Sequence, residues 1–175
     1  HNYEAHEKLF RLLVGSWREN WNDPDLPFYY VQLSSIDRPS WPWFRDSQRR
    51  LMDAIPHTGM AVSSDYGDSL DVHPKNKRPI GERLAHWALN RTYDKKQVVP
   101  SGPLFRSVDF REDAAYVSFD YADGLHTADG RPIREFEIAE TEGVYYPAKA
   151  EVVGNQVKVY SDRVKHPCHV RYAWR

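Results

Sequence analysis

Asp71, Val72, His73 and Pro74 stand together in a polar stretch, DYGDSLDVHPKN, between a short apolar run and a helical pattern. A histidine with a carboxylate a few residues upstream is equipped for general base catalysis, because the carboxylate fixes the imidazole tautomer and stabilises its protonated form. The same residues have a plainer reading, in which His73 caps a helix and Asp71 keeps a loop solvated. Pro74 suits the first turn of a helix, where no backbone N–H is needed, and this places His73 at the helix mouth. Metal chemistry finds less support. His1 and His6, or His166 and His169 around Cys168, lack the ligand number and spacing of a zinc site, and in a strand residues 166 and 169 fall on opposite faces. No metal and no cofactor are expected.

The elements that must carry this loop are legible from periodicity. Leu9, Phe10, Leu13 and Trp17 recur at helical spacing within residues 4–20, with Glu4 and Glu7 near the positive end of the helix dipole. Residues 28–33 form an aromatic and apolar run that reads as a strand buried on both faces. Phe44, Leu51, Met52 and Ile55 give a second helix closed by Pro56, Met60 to Val62 a second strand, and Ile80, Leu84, Trp87 and Ala88 a third helix running to about Tyr93. Helix alternating with strand predicts an α/β layer with a parallel sheet, in which a loop after a strand is a favoured ligand site. After QVVPSGP (97–103) the period becomes two, with turn signals at Asp123-Gly124, Asp129-Gly130, Glu142-Gly143 and Gly154-Asn155; the last predicts a hairpin joining Ala150/Val152 to Val157/Val159. Residues 1–96 are therefore expected as an α/β domain and 97–175 as an antiparallel, sandwich-like β domain.

Composition narrows the partners. The chain of 175 residues carries 24 Lys plus Arg against 25 Asp plus Glu, a formal charge of −1, so no basic field exists to follow a phosphate backbone and nucleic acid is not expected. No apolar run reaches the ~18–20 residues of a membrane span. Cys168 is the single cysteine and makes no internal disulfide. Trp41, Trp43, Tyr29 and Tyr30 suit either a sugar-stacking surface or the core, with the core favoured. Arg45, Arg49 and Arg50 read either as a carboxylate-binding cluster or as a solvated helix face, with the solvated face favoured. The Asn90-Arg91-Thr92 sequon lies within a predicted helix and is set aside.

The ordered stretches HNYEAHEKLF, SWRENW, LPFYYVQLSSI, WPWFRDSQRRL, TGMAVSSDYGD, DVHPKNKRPIGERLAHWAL, SGPLF, GVYYPAKAEV and VRYAWR resemble the bacterial sialate O-acetylesterases of the SGNH-hydrolase superfamily over nearly the whole chain. The resemblance implies part of a three-layer parallel sheet with helices and a carbohydrate esterase that removes acetyl groups, such as the 9-O-acetyl of sialic acid, with acetylxylan as an alternative substrate. It implies that His73 is the catalytic histidine. Asp71 is its natural carboxylate partner, although the usual superfamily spacing would put the acid at position 70, which is Leu; Asp68 stands as a competing partner. The family's serine nucleophile and oxyanion asparagine have no counterpart here. Ser16 lies in a helical pattern, Ser63 and Ser64 end a strand and Ser101 lies in the linker; none occupies a Gly-x-Ser-x-Gly or Gly-Asp-Ser motif.

The chain opens at His1 without an initiator methionine and enters a helical pattern at once, as a piece of a longer polypeptide or a processed chain would. The expected partners are an acetylated carbohydrate and the missing N-terminal part or a complementary chain. A parallel sheet without its first strands presents an unpaired edge and an uncovered face, which also favours a homo-oligomer. The family resemblance implies a secreted or periplasmic location. A different class of function, a non-catalytic carbohydrate-binding or interaction module built on the β-rich region, remains as the alternative.

Overall fold

The computed structural model describes residues 2–174. The chain divides between Ser101 and Gly102, inside the QVVPSGP stretch, into two compact units. Its architecture is mixed α/β with sheets. The first unit contains α1 (Tyr3–Asn20), β1 (Phe28–Val31), α2 (Trp41–Ala54), β2 (Thr58–Ala61), a 3-10 turn (Ser64–Tyr66) and α3 (Arg78–Trp87), which runs into a π-helical turn (Ala88–Thr92).

β1 and β2 are parallel, with Phe28 opposite Thr58 and Val31 opposite Ala61. On α1 the residues Phe10, Val14 and Trp17 share one flank. The Phe10 ring meets Phe28 and Tyr30 edge-on, at centroid distances of 5.7 and 4.8 Å. Val14 and Leu51, each 1% exposed, and Ile55 form the small core between α1, α2 and β1. On β2, Gly59 lets the Trp87 indole lie against the backbone: a Cβ at residue 59 would sit 2.5 Å from Trp87 Cδ2. The indole is held there by a hydrogen bond from its Nε1 to the Met60 carbonyl at 3.0 Å.

Two expectations change here. β1 is four residues long, and only Tyr30 is buried in it; Val31 is 40% exposed. Burial on both faces fails because, among the described residues, β2 is the only strand paired with β1, so its other edge and the flank beside it are uncovered. The parallel sheet is correspondingly a pair of strands. α1 leaves Leu9, Leu12, Leu13 and Trp17 between 46% and 69% exposed, and Trp21 just past its end is 69% exposed. No helix among the described residues is long and apolar enough to cross a membrane.

The second unit consists of β3 (Leu104–Arg111), β4 (Ala114–Asp120), β5 (Phe136–Ala139), β6 (Tyr146–Pro147), β7 (Lys149–Val153), β8 (Gln156–Tyr160) and β9 (His169–Tyr172). They form a four-stranded sheet in the order β3-β4-β8-β7 and a three-stranded sheet in the order β6-β5-β9, antiparallel throughout. Alternation places Ala115, Val117, Val157 and Val159 of the first sheet in one buried cluster with Phe136 and Ile138 of the second. The β7–β8 hairpin has the expected register, Ala150 opposite Val159 and Val152 opposite Val157, and Gly154 supplies the positive φ of 60° that its tight turn needs.

Candidate active site

Because β1 and β2 are parallel, the segments that follow them, residues 32–40 and 62–77, leave from the same end of the pair. Short polar side chains tie the two segments together. Ser63, 1% exposed, donates to the Gln32 carbonyl at 2.7 Å. Ser35 Oγ donates to Ser64 O at 2.7 Å, the Asp37 N–H to Ser69 O at 3.0 Å, and Ser34 Oγ to Val72 O at 2.6 Å. The approach is close enough that a Cβ on Gly67 would lie 2.5 Å from the Ser35 nitrogen. Side chains that would otherwise read as generic loop polarity therefore supply the hydrogen bonds that two adjoining irregular segments need.

Within this loop Asp71 Oδ1 accepts two hydrogen bonds from His73, one from its backbone N–H at 2.9 Å and one from ring Nδ1 at 3.2 Å. With the proton on Nδ1, Nε2 carries a lone pair and faces outward on a ring that is 82% exposed. The backbone N–H of His73, then its ring, hold the Asp71 carboxyl below the usual carboxylate range, so it is charged at neutral pH. Asp68 is not brought to the histidine: its Oδ1 accepts the Leu70 N–H at 2.8 Å in a turn of its own. Pro74 does not open the next helix. α3 begins at Arg78 with Pro79 in its first turn, so His73 projects from the loop rather than from a helix mouth. The second proline satisfies the same N-terminal preference, and local propensity does not distinguish them.

Arg83 was not singled out by its sequence position, yet it anchors the start of the loop. Its guanidinium grips both Asp65 oxygens at 2.7 and 2.6 Å, donates to the Val62 carbonyl at 2.6 Å and lies over the Tyr66 ring at 5.4 Å. The Arg83 hydrogen bonds hold the Asp65 carboxyl below its ordinary value of 3.8, against a smaller opposing effect of burial. A carboxylate with a lowered folded-state value contributes stability that is complete above its unfolded value and is lost as pH falls through the folded value. Asp65→Asn should therefore destabilise by about 1 kcal/mol above pH ~5, a figure discounted for the half-exposed carboxylate. The difference from the parent should shrink below pH ~4, as followed by urea unfolding across pH.

The remaining candidates are occupied elsewhere. Tyr30 is buried, and its hydroxyl, pushed up by desolvation, donates to Gln48 O at 2.6 Å. Trp43 stacks on Tyr3 at 5.8 Å, and Trp41 Nε1 donates to Ser34 O at 2.7 Å. Arg49 and Arg50 pair with Asp46, Asp53 and Glu7. Arg45 departs from a solvated helix face: it is 8% exposed, and burial lowers its ordinary value. Asn90 is buried, with its amide donating to Val98 O at 2.8 Å. Among the described residues no three of His, Cys, Asp and Glu stand together as metal ligands, and no serine hydroxyl lies within hydrogen-bonding distance of the His73 ring.

No protein-family profile matches the chain. Sequence relatives are the sialate O-acetylesterase of rat, 22% identical across 99% of this chain and 37% of the relative, and that of human, 24% identical across 99% and 38%. The mouse sialate O-acetylesterase is 24% identical across 69% of this chain and 26% of its own length. Among solved structures, a carbohydrate acetylesterase from Xanthomonas citri superposes with a TM-score of 0.88 at 35% identity, covering 99% of this chain and 40% of that one. The resemblance to sialate O-acetylesterases thus holds across the chain, which spans about two-fifths of the length of these relatives.

Proposed function

We propose that this chain, similar over its whole length to the sialate O-acetylesterases, is the histidine-bearing part of a serine carbohydrate esterase that removes O-acetyl groups from sugars. The favoured substrate class is 9-O-acetylated sialic acid, with acetylxylan as the competitor. The observation that carries the reading is the Asp71–His73 pair on the loop leaving β2, with the outer ring nitrogen exposed to a reactant.

His73 is the general base. As a serine oxygen bonds to the acetyl carbonyl carbon, Nε2 takes the serine proton, and Asp71 steadies the imidazolium. When the tetrahedral intermediate collapses, the bond to the sugar oxygen breaks and the imidazolium returns the proton to that oxygen, leaving acetyl on the serine. Water repeats the sequence and releases acetate. The serine and the asparagine that binds the oxyanion come from outside these 175 residues, either from the same polypeptide or from a complementary chain.

On this reading β1 and β2 are neighbours in a larger three-layer parallel sheet, and the segment after the QVVPSGP stretch is an accessory, sandwich-like domain. The unpaired edge of β1 and the apolar flank of α1 support it, as does the length of the relatives. A secreted or periplasmic location, and self-association where the complementary part is lacking, belong to the same proposal.

The isolated chain should not turn over an aryl acetate above the buffer rate, because a base without a nucleophile cannot run acyl transfer. Robust turnover by the isolated chain that disappears in His73→Ala overturns the division of labour. In a longer polypeptide that supplies the nucleophile, comparing 9-O-acetylsialic acid with acetylxylan decides the substrate class.

A further inference from the structure

We infer that Ser34 is a positioning residue for the Asp71–His73 pair, acting through the peptide unit that joins Val72 to His73. The hydroxyl of Ser34, on a residue 4% exposed, donates to the Val72 carbonyl at 2.6 Å. That carbonyl and the His73 N–H belong to one planar trans peptide, so they point in opposite directions and rotate together. Holding the oxygen toward Ser34 therefore aims the N–H the other way, at Asp71 Oδ1, which it meets at 2.9 Å. The same Oδ1 receives the imidazole Nδ1 at 3.2 Å, so the peptide sets where the carboxylate sits and the carboxylate sets how the ring is turned.

Ser34 is held in its turn by the opposite side of β1. Its own carbonyl accepts Trp41 Nε1 at 2.7 Å, at the start of α2. The preceding Leu33 N–H is accepted by Gln48 Oε1 at 2.9 Å, and Gln32 Nε2 donates to Arg45 O at 2.9 Å. A rigid helix thus fixes the segment after β1, and one buried hydroxyl passes that rigidity to an otherwise exposed catalytic loop. The exposed pair has little packing of its own to hold it: the Asp71 and His73 side chains are 48% and 82% exposed. Such a constellation depends on hydrogen bonds from outside its immediate contacts.

The inference rests on the proposed role of His73 for its catalytic meaning, but the coupling itself is measured without activity. In the full chain, amide exchange of His73 is read by NMR in Ser34→Ala, Ser34→Thr, Asp71→Ala and Ser34→Ala/Asp71→Ala, and titration of the Asp71 carboxyl carbon in the parent and the two single Ser34 variants. Ser34→Ala should speed His73 exchange by roughly fivefold to tenfold and move the Asp71 midpoint up toward an ordinary carboxylate. Ser34→Thr, which keeps the hydroxyl, should restore both. In the Asp71→Ala background Ser34→Ala should add little, because the side chain that accepts the His73 N–H is already gone. Unchanged exchange and titration in Ser34→Ala, or a full additive effect in the double variant, overturns the proposal. An aryl acetate assay in a longer polypeptide tests the catalytic role separately, so coupling without any loss of activity would count against His73 rather than against Ser34.

Discussion

His73→Ala, made in a polypeptide that also supplies the serine, is expected to lower kcat/KM toward an aryl acetate by roughly 10³- to 10⁶-fold. That range follows because removing a general base disables nucleophile activation and leaving-group protonation together. KM should change little, since in the proposed mechanism the imidazole acts on the proton in flight rather than on the bound sugar. Asp71→Asn should lose less, roughly tenfold to a hundredfold. The carboxylate is half exposed, and water shares in stabilising the imidazolium, but the amide cannot provide a charge and presents the wrong hydrogen-bonding choice to Nδ1. Asp68→Asn should stay within about twofold of the parent, because Asp68 bonds the Leu70 N–H and not the histidine. A profile of kcat/KM against pH for each variant checks the ordering. Equal losses in Asp68→Asn and Asp71→Asn would remove Asp71 from its role.

Gly59→Ala is expected to destabilise the first unit by about 2–3 kcal/mol, the cost of forcing a methyl into a filled site. The methyl carbon would stand 2.5, 2.7 and 2.8 Å from Trp87 Cδ2, Cε3 and Cγ, inside any real contact distance. The indole has no easy retreat: it is 4% exposed and bonded through Nε1 to Met60 O, so either that bond or the β1–β2 ladder must yield. Urea unfolding followed by tryptophan fluorescence measures the loss. A smaller penalty in a Trp87→Leu background would identify the indole as the cause, whereas a penalty below about 0.5 kcal/mol would show that the site can relax. Because the His73 loop leaves β2 directly after Ala61, a shifted strand should also loosen the ties from Ser63 to Gln32 and from Ser34 to Val72.

Elements with a strong period were legible in the sequence. The spacing of Leu9, Phe10, Leu13 and Trp17 predicts a helix, and α1 forms there, although its buried side is made by Phe10 and Val14 while Leu9, Leu13 and Trp17 stay exposed; the pairing of Ala150/Val152 with Val157/Val159 predicts the hairpin at period two. His73 and its neighbouring carboxylates were visible as a chemical motif in a polar loop. The choice between Asp68 and Asp71 was not, because both can close a local turn onto a backbone N–H two residues on and both do. Which of those turns also receives the ring is settled by how the loop is folded. The anchors at Ser34, Ser63 and Arg83 had no local signature: their partners Val72, Gln32 and Asp65 lie far along the chain, and a serine or arginine in a loop carries no mark of what it will meet. The exposure of β1 was misread for a related reason, since an aromatic run reports that a strand can be covered on both faces, not that the covering elements are present.

By itself the sequence determined the alternation of helix and strand, the switch to period two beyond the QVVPSGP stretch, the absence of a nucleophile motif and the presence of a histidine with nearby carboxylates in a polar loop. Each depends on residue type at short range, where sterics and burial act through spacing alone. Tertiary structure decided that Asp71 rather than Asp68 meets His73, that Arg45 is buried, and that a hydroxyl on the segment after β1 holds the peptide beside the histidine. Those outcomes depend on hydrogen bonds and contacts between distant segments, whose geometry exists only once the parallel pair brings the ends of β1 and β2 side by side.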